Sequence, residues 1–247
     1  MEISEYKNIF ENEERHFFYA ANHNLILSLL KKYAKSSRNL KILDAGCGTG
    51  LLARKLAAFG EVWGIDISPH ALYYAKKRNV RVKKASVTAL PFKSDTFDVV
   101  VSIDVIYHQK VKNDVKALKE FYRVLKSNGI LILRVPSNKW LHLAHDRHVH
   151  TRERYTKEEL RRKLTKAGFS IEKISFVNMF LLPLAIVQQL WETIVPHHIT
   201  SSMVKPLPLV LNNALITLLS FENTLISRIN LPFGVGLITV CRKSSKQ

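Results

Sequence analysis

Short apolar runs and longer amphipathic stretches alternate along most of this chain. Seven runs have the length of buried strands, and they lie at 41–45, 61–66, 80–85, 96–102, 130–135, 171–177 and 235–241. Stretches with the 3.6-residue apolar spacing of a helix lie at 10–33, 51–58, 70–78, 111–126 and 157–166. This alternation predicts an α/β domain whose sheet is covered by helices on both faces.

The pattern changes between the sixth and seventh predicted strands, where residues 178–232 form an apolar insertion. An apolar segment at 179–195 precedes a predicted helix at 211–229. One side of that helix carries Leu211, Ala214, Leu215, Leu218, Phe221, Leu225 and Ile229, and the other carries Asn, Thr and Ser. The insertion can be a cap over a substrate pocket, a helix pair lying on a membrane surface, or a homodimer interface. Gln188, Gln189 and Glu192 argue against a membrane-spanning hairpin.

Composition adds a strong positive charge to this picture. Lys and Arg number 38 against 20 acidic residues, giving a formal net charge of +18. The charge predicts an anionic partner, such as nucleic acid, a lipid surface or an acidic substrate, although a lysine-rich genome gives the same bias. Two cysteines predict no disulfide framework, and the polar start is unlike a signal peptide. We therefore expect a cytoplasmic protein, with peripheral attachment to the inner membrane face as an extension of that expectation.

Three glycines at alternate positions follow the first predicted strand and precede a predicted helix. The run is Asp44-Ala45-Gly46-Cys47-Gly48-Thr49-Gly50. A strand, a tight turn and a helix N-terminus form a site where backbone N–H groups meet a ligand. The third glycine comes one position too early for a dinucleotide-binding fingerprint, and no Lys-Ser/Thr pair follows as a P-loop requires.

The run from Leu43 to Gly50 resembles the first motif of class I S-adenosylmethionine-dependent methyltransferases of the type 11 kind. Two later segments, 89–100 (Ala-Leu-Pro-Phe, then Phe-Asp-Val-Val) and 123–131, are similar to the same family. The resemblance implies a doubly wound, seven-stranded Rossmann-like sheet with strand order 3-2-1-4-5-7-6 and an antiparallel last strand. It also implies S-adenosylmethionine as the cofactor. The expected function is methyl transfer to an oxygen or nitrogen of a small-molecule or lipid-linked acceptor.

Asp66 ends the second predicted strand, where an acid can accept hydrogen bonds from both hydroxyls of a ribose, and the resemblance gives it the same role. The resemblance also implies that Asp44, Gly46, Cys47, Gly48 and Gly50 cradle the cofactor and that Ile67 flanks its adenosine. Ser86 stands where the family commonly has an acid that binds the adenine, and Val87 follows it. Ile103 and Asp104 are expected near the methionine end.

His108 and Tyr107 follow the fourth predicted strand, at the end of the sheet where open α/β folds bind ligands. His108 is the candidate general base, because its ordinary pKa is near neutrality, and Tyr107 is a weaker candidate. The alternative is that His108 only holds a loop by hydrogen bonding.

Two further segments bear on function. Residues 1–39 are expected to form a helical lid or a helix packed on the sheet, ahead of the core at 40–177, the insertion at 178–232 and the last strand and basic tail at 233–247. The connection at 136–155 contains His142, His145, Asp146, His148 and His150, but their irregular spacing predicts no metal site. We expect a substrate loop there instead, carrying Arg152, Arg154 and Tyr155.

Nucleic acid is a less favoured partner than a small or lipid-like acceptor, because the chain has no signature of amino-methylating nucleic-acid enzymes and no added RNA-binding module. RNA or protein methylation remains an alternative function. A non-catalytic, cofactor-binding protein attached to a membrane is another.

Overall fold

The computed structural model describes residues 3–34, 39–141, 150–194, 204 and 206–244. Its strands are β1 (Leu40–Ala45), β2 (Gly60–Asp66), β3 (Arg81–Lys84), β4 (Phe97–Ile103), β5 (Leu125–Pro136), β6 (Phe169–Val177) and β7 (Gly236–Lys243). They form one sheet of order β3-β2-β1-β4-β5-β7-β6. The neighbours β3, β2, β1, β4 and β5 are mutually parallel. Strand β7 is antiparallel to both β5 and β6. The predicted doubly wound sheet and its order are confirmed.

Helices cover both faces of this sheet. They are α1 (Ile3–Asn12), α2 (Phe17–Tyr33), α3 (Leu51–Leu56), α4 (Pro69–Lys77), α5 (Asp114–Val124), α6 (Lys157–Lys166), α7 (Leu182–Ile194) and α8 (Leu209–Arg228). Ser68 caps α4 through its side chain. Thr156 and Glu159 form a reciprocal capping box at the start of α6, which satisfies two backbone N–H groups that would otherwise have no partner.

The central strands are buried on both faces, as their continuous apolar sequences require. Leu43 and Val100 pack in the cluster that holds Phe121 of α5. Ile42 and Val99 point to the opposite face, among residues such as Leu29 of α2. The two periods of the chain, two in the strands and about 3.6 in the helices, thus place apolar side chains in two layers around one sheet.

The N-terminal region differs from the prediction. The sequence predicts one helix at 10–33, whereas the structure has two helices that are separated at Glu13–His16. His16 is the N-cap of α2, and its Nδ1 accepts a hydrogen bond from the N–H of Phe18 at 3.4 Å. Glu13 is 4% exposed and binds side chains of the domain core, so the break lets the chain bring a carboxylate inward.

The insertion contains the two predicted helices, but α8 packs on a face that the sequence does not indicate. Its buried residues are Asn212, Leu219, Glu222 and Ile226. Both oxygens of Glu222 accept backbone hydrogen bonds, from the N–H groups of Asn178 and Phe180. The side chain of Asn212 bonds the backbone of Phe17 and of Arg15, each at 2.9 Å.

Most of the predicted apolar stripe of α8 points outward as a result. Leu211, Leu218, Phe221 and Ile229 are 38% to 57% exposed. Among the described helices α8 is the one long and apolar enough to cross a membrane by length and composition, with 22% of that window buried. Its buried polar contacts hold it along α2 instead.

Candidate functional site

The loop after β1 bends sharply and leaves an open space at its middle residue. The N–H groups of Gly46 and Cys47 both donate to the carbonyl oxygen of Ile65 at 2.8 Å, which ties the loop to the end of β2. Gly48 has a φ of 53°. Apart from its chain neighbours, no described residue has an atom within 4 Å of the position of a Cβ there. A ligand can therefore approach the backbone at Gly48 closely.

Gly50 serves the packing of this loop. Its φ is 85°, and a Cβ at this position would lie 2.9 Å from Ala75 of α4. Glycine thus lets α3 begin directly against α4, and Gly50 does not line the cavity described below.

Asp66 lies at the end of β2 with its carboxylate beside the loop. Its Oδ2 accepts a hydrogen bond from the N–H of Gly48 at 3.1 Å, and its Oδ1 accepts one from the N–H of Ser68 at 2.8 Å. Burial raises the pKa of Asp66, against these hydrogen bonds, which lower it. Each carboxylate oxygen keeps acceptor capacity, so the pair can still receive two hydroxyl donors. Ile67 beside it is 46% exposed.

Asp44 is the most deeply buried acid of the site. It is 2% exposed, and its Oδ2 has no hydrogen-bond partner among the described residues. Burial raises the pKa of Asp44 to about 7, with a further contribution from the nearby carboxylate of Asp66. A buried acceptor without a partner is costly, and a cationic ligand would remove that cost.

Ser86 and Val87 form the next wall. The hydroxyl of Ser86 accepts from the N–H of Thr88 at 3.2 Å and lies 2.9 Å from the hydroxyl of Thr88. Ser86 is therefore engaged within its own loop. Val87 is 5% exposed and supplies an apolar surface.

Asp104 and Arg134 form an ion pair at the carboxyl end of β4, next to Ile103. Asp104 adopts the left-handed backbone region with a φ of 55°, which is uncommon outside glycine. Its N–H donates to the carbonyl oxygen of Arg134 at 3.0 Å, and its Oδ2 accepts from the guanidinium of the same residue. Burial raises the pKa of Asp104, and Arg134 opposes that shift. The guanidinium lies 5.1 Å from the centre of the Phe18 ring.

His108 faces the same space but its ring is held on one side. Its Nδ1 accepts a hydrogen bond from the N–H of Lys110 at 3.0 Å. Burial lowers the pKa of His108 to about 4, with smaller contributions from nearby positive groups such as His150 and Lys110. The ring is then neutral at pH 7, and a neutral imidazole that accepts at Nδ1 carries its proton at Nε2. In this geometry Nε2 offers a donor toward a ligand.

Tyr107 is buried at 9% exposure, and its carbonyl oxygen accepts from the N–H of Arg152 at 2.9 Å. This contact and the bridge between His108 and Thr151 hold the segment after β4 against the start of the 150–155 segment.

The N-terminal segment closes the site from the other side, which the sequence does not show. Glu13 forms an ion pair with Arg78 in which each side chain is 5% exposed. The hydroxyl of Thr49, in the glycine loop, donates to the same carboxylate oxygen. Arg78 also donates to the carbonyl oxygens of Thr49 at 2.8 Å and of Phe10 at 2.9 Å. The contacts fasten the N-terminal segment directly onto the glycine loop.

One cavity of about 560 Å³ brings these groups together. Every predicted site residue except Gly50 lines it: Asp44, Gly46, Cys47, Gly48, Asp66, Ile67, Ser86, Val87, Ile103, Asp104, Tyr107 and His108. Further walls come from the N-terminal segment, with Phe17, Phe18, Tyr19 and His23, and from the insertion, with Leu184 and Gln188. His23 is a further residue that sequence reasoning missed. Its Nδ1 has no partner among the described residues, and burial lowers its pKa to about 3.

The three residues predicted to contact the substrate from the 136–155 connection have different surroundings in the structure. Arg154 lines the cavity. Tyr155 is fully buried, and its hydroxyl donates to Asp114 at 2.8 Å, so its place in that prediction is wrong and it serves the core. Arg152 pairs with Asp114 and Glu153. His142, His145, Asp146 and His148 lie outside the described residues.

The described ranges contain no group of three His, Cys, Asp or Glu side chains that is arranged to hold a metal ion.

The donors and acceptors of the cavity fit S-adenosylmethionine. Asp66 presents two acceptor oxygens to the hydroxyls of a ribose. The open space at Gly48 lets the cofactor approach the protein backbone. The Oδ2 atom of Asp44, which has no hydrogen-bond partner among the described residues, suits an ammonium group. Val87 and Ile67 supply apolar contact for a purine.

Comparisons with known proteins agree with this fit. Residues 43–133 match the family described as Methyltransferase domain. The chain is 36% identical over 107 residues to the Ubiquinone biosynthesis O-methyltransferase of Pelagibacter ubique, covering 40% of this chain and 43% of that protein. It is 31% identical over 134 residues to a Mycobacterium tuberculosis protein named "Probable S-adenosylmethionine-dependent methyltransferase", covering 52% of this chain and 48% of that protein. This chain thus spans about half the length of the curated relatives it matches.

A solved structure shows the same fold. The Haemonchus contortus Phosphoethanolamine N-methyltransferase 2, in complex with S-adenosyl-L-methionine, is 21% identical with a TM-score of 0.59, covering 90% of this chain and 53% of that one. The sheet order, the glycine loop with its acid on β2 and the matched family lead to one conclusion. Residues 43–133 of this chain match a methyltransferase domain, and the sheet around them has the class I S-adenosylmethionine-dependent methyltransferase fold.

Proposed function

We propose that this protein transfers a methyl group from S-adenosylmethionine to an oxygen or nitrogen of a small-molecule or lipid-like acceptor. The observation that carries the proposal is the single cavity, which joins the cofactor-binding groups to a second region walled by aromatic and aliphatic side chains. Cavities of a few hundred to about 1,000 Å³ are typical of small-molecule sites.

Three residues bind different parts of the cofactor in this proposal. Asp66 accepts the hydroxyls of the ribose, Asp44 pairs with the ammonium group, and the backbone at Gly48 lies against the cofactor. When bound, S-adenosylmethionine supplies a methyl group that is already activated by a positively charged sulfur. The protein gains rate mainly by holding the acceptor atom in line with that carbon.

The second region of the cavity indicates an acceptor with an apolar body and a polar group. Phe17, Phe18 and Leu184 supply apolar walls, whereas Arg134 and Arg154 are buried there at 5% and 8% exposure. A buried guanidinium favours an oxygen-bearing or anionic group. An acceptor with a hydroxyl near such a group and a lipid-like remainder fits both surfaces.

The proton of the acceptor passes to solvent as the product leaves, or to Nδ1 of His108 where that atom has released the N–H of Lys110, and His108 is the residue that we propose beside the acceptor atom. With its proton at Nε2, His108 positions an acceptor oxygen by donating a hydrogen bond. Its action as a general base requires that the ring first release its hydrogen bond from Lys110. Tyr107 stays the weaker candidate. The segment fastened at Glu13 covers the cavity and excludes water from it.

The name of one relative, an O-methyltransferase, supports an oxygen acceptor, and the family match at residues 43–133 covers the cofactor-binding part. The net charge of +18 favours a second candidate function, methylation of RNA, and methylation of protein is a further alternative. A gel shift with structured RNA that falls steeply with salt concentration would support that alternative. Cytoplasmic localisation and a peripheral position on the membrane belong to the proposal as well.

The test uses the full chain and S-adenosylmethionine with a labelled methyl group. The protein is incubated with separate lipid, small-molecule, RNA and protein fractions of a cell extract. We expect label in an organic-extractable acceptor. Label confined to RNA or protein would overturn the proposed acceptor class, and cofactor binding without transfer to any fraction would overturn the proposed enzymatic activity.

A further inference from the structure

Helix α7 is an apolar helix of which one residue is buried among the parts of the chain that the structure describes. Ala185 is its buried residue. Five large apolar side chains of α7 are 59% to 77% exposed, namely Leu184, Val187, Leu190, Trp191 and Ile194. Trp140 is 52% exposed as well, and its carbonyl oxygen accepts a hydrogen bond from Gln189 of α7 at 3.3 Å. We call the five exposed side chains of α7 the apolar face.

The neighbouring helix extends the same character. Phe180, just before α7, packs on Phe221 of α8 with ring centres 6.3 Å apart. As described above, α8 directs Asn212 and Glu222 toward the domain, so that Phe221 is left 57% exposed. Soluble domains usually place the polar side of a surface helix outward. In α8 the large apolar residues Leu211, Leu218 and Phe221 are exposed together with the Asn and Thr side of the helix, and such exposed apolar side chains indicate a surface that meets something apolar.

Charges around these helices are mostly positive. The acids within α7 and α8 are Glu192, which accepts from Gln188, and the buried Glu222. Basic residues lie near α8, with Arg15 at the contact with Asn212 and Arg228 at the end of the helix, whereas Lys139 next to Trp140 is paired with Glu159. Lys32 donates to the carbonyl oxygen of Ser227 beside it.

We propose that the apolar face docks on the surface of an anionic lipid bilayer, with α7 lying in the interface and the basic residues near α8 meeting the headgroups. Exposed tryptophans beside basic residues suit that boundary. A second copy of the chain suits the face less well, because two chains of net charge +18 repel each other. Basic residues near the headgroups add electrostatic attraction to anionic lipid.

Docking in this orientation has a consequence for the cavity. Leu184 and Gln188 line the cavity and lie on the same helix as the apolar face. Given the proposed function, an amphipathic acceptor could pass from the bilayer into the cavity along α7. Vesicle binding itself does not depend on methyl transfer, so the two are measured separately.

The experiment compares full-length wild type with the double variant Val187→Glu and Trp191→Glu, neither of which lines the cavity. Tyr73→Glu is the matched control, since Tyr73 is 56% exposed on α4, which packs beside β2 and β3 at the other end of the sheet. Each protein is floated with phosphatidylcholine vesicles containing 30% phosphatidylglycerol, as a chosen condition of roughly physiological anionic content, and with phosphatidylcholine vesicles alone.

We expect wild type and Tyr73→Glu to float with the anionic vesicles, and the double variant to partition at least about tenfold less. Circular dichroism checks that all three proteins are folded. The proposal is overturned if wild type does not float, or if the double variant floats as well as wild type. Light scattering that shows a wild-type dimer, and a monomer for the double variant, would assign the face to a second copy and overturn it too.

Discussion

Glu13 and Arg78 are 65 positions apart in the sequence and form a buried ion pair at the edge of the cofactor cavity. Burial raises the pKa of Glu13, while hydrogen bonds from Thr49 and the charge of Arg78 lower it. Because Thr49 belongs to the glycine loop, one carboxylate joins the N-terminal segment, the loop and the end of α4. The cover of the cavity and the cofactor cradle are therefore one connected unit.

The first prediction concerns this pair. Arg78→Met leaves a buried carboxylate without its charge partner, which typically costs about 3–5 kcal/mol. For a protein of this size that corresponds to a fall in Tm of roughly 6–20 °C. Thermal unfolding measures it. The double variant Glu13→Leu with Arg78→Met removes both charges and should recover part of the loss. Additive losses in the double variant would contradict the interaction.

The second prediction concerns Asp66. Asp66→Ala removes the acceptors for both ribose hydroxyls, and each hydrogen bond to a charged group contributes about 1.5–3 kcal/mol. We expect the affinity for S-adenosylmethionine to fall at least about 100-fold by calorimetry. Glu61→Gln is the control, because Glu61 lies on the same strand and pairs with Arg81 on the surface. An unchanged affinity in Asp66→Ala would show that the nucleoside lies elsewhere.

The third prediction concerns the pH dependence of binding. Burial raises the pKa of Asp44 to about 7 in the folded, ligand-free protein. In the unfolded chain the same carboxyl has a pKa of about 4. Between these two pH values the folded protein holds a proton on Asp44 and the unfolded chain does not. Its contribution to stability is therefore greatest at low pH and is lost as the pH rises toward 7. A bound ammonium group favours the ionised carboxylate. Binding of S-adenosylmethionine below pH 7 should release a proton, and affinity should rise with pH up to about 7.

Calorimetry in buffers of different ionisation enthalpy measures that proton. Asp44→Asn should bind more weakly and release less of it. Equal proton release by wild type and Asp44→Asn would show that Asp44 does not face the ammonium group.

The fourth prediction concerns His108. His108→Asn keeps an oxygen that can accept from the N–H of Lys110 and removes Nε2 from a residue that lines the cavity. We expect kcat to fall less than about tenfold, since the wild-type ring donates rather than accepts at Nε2. Because its pKa is lowered to about 4, His108 should add no inflection to the rate between pH 6 and 8. A loss of about 100-fold or more would instead identify a general base.

The positions of the strands could be predicted because their information is local. Most strands are short apolar runs, β3 with its basic residues being the exception, and Asp66 and the glycines at 46 and 48 fall where a strand ends. The strand order came from a resemblance, and the structure agrees with it. The cofactor-binding residues could therefore be predicted from two observations: where a strand ends and which residue types follow it.

Contacts between distant segments could not be predicted in the same way. Nothing in the periodicity of 10–33 shows that Glu13 turns inward to meet Thr49 and Arg78, because those partners come 36 and 65 residues later. The burial of Asn212 and Glu222 of α8 could not be predicted either. Polar side chains are buried where they find hydrogen-bond partners, and the backbone partners of these two residues belong to distant segments. Tyr155 lies in a polar stretch of the sequence, yet its side chain is buried, with its hydroxyl hydrogen-bonded to Asp114.

The position of β7 bears on how this chain is made. It leaves the ribosome after β5 and β6, yet it enters between these two strands, which are not neighbours in the sheet. Until residues 236–243 are available, both of those strands present an open edge that can pair with other nascent chains. Interrupted synthesis should therefore yield insoluble fragments, and the closing of the sheet by its final strand couples solubility to complete translation of this region.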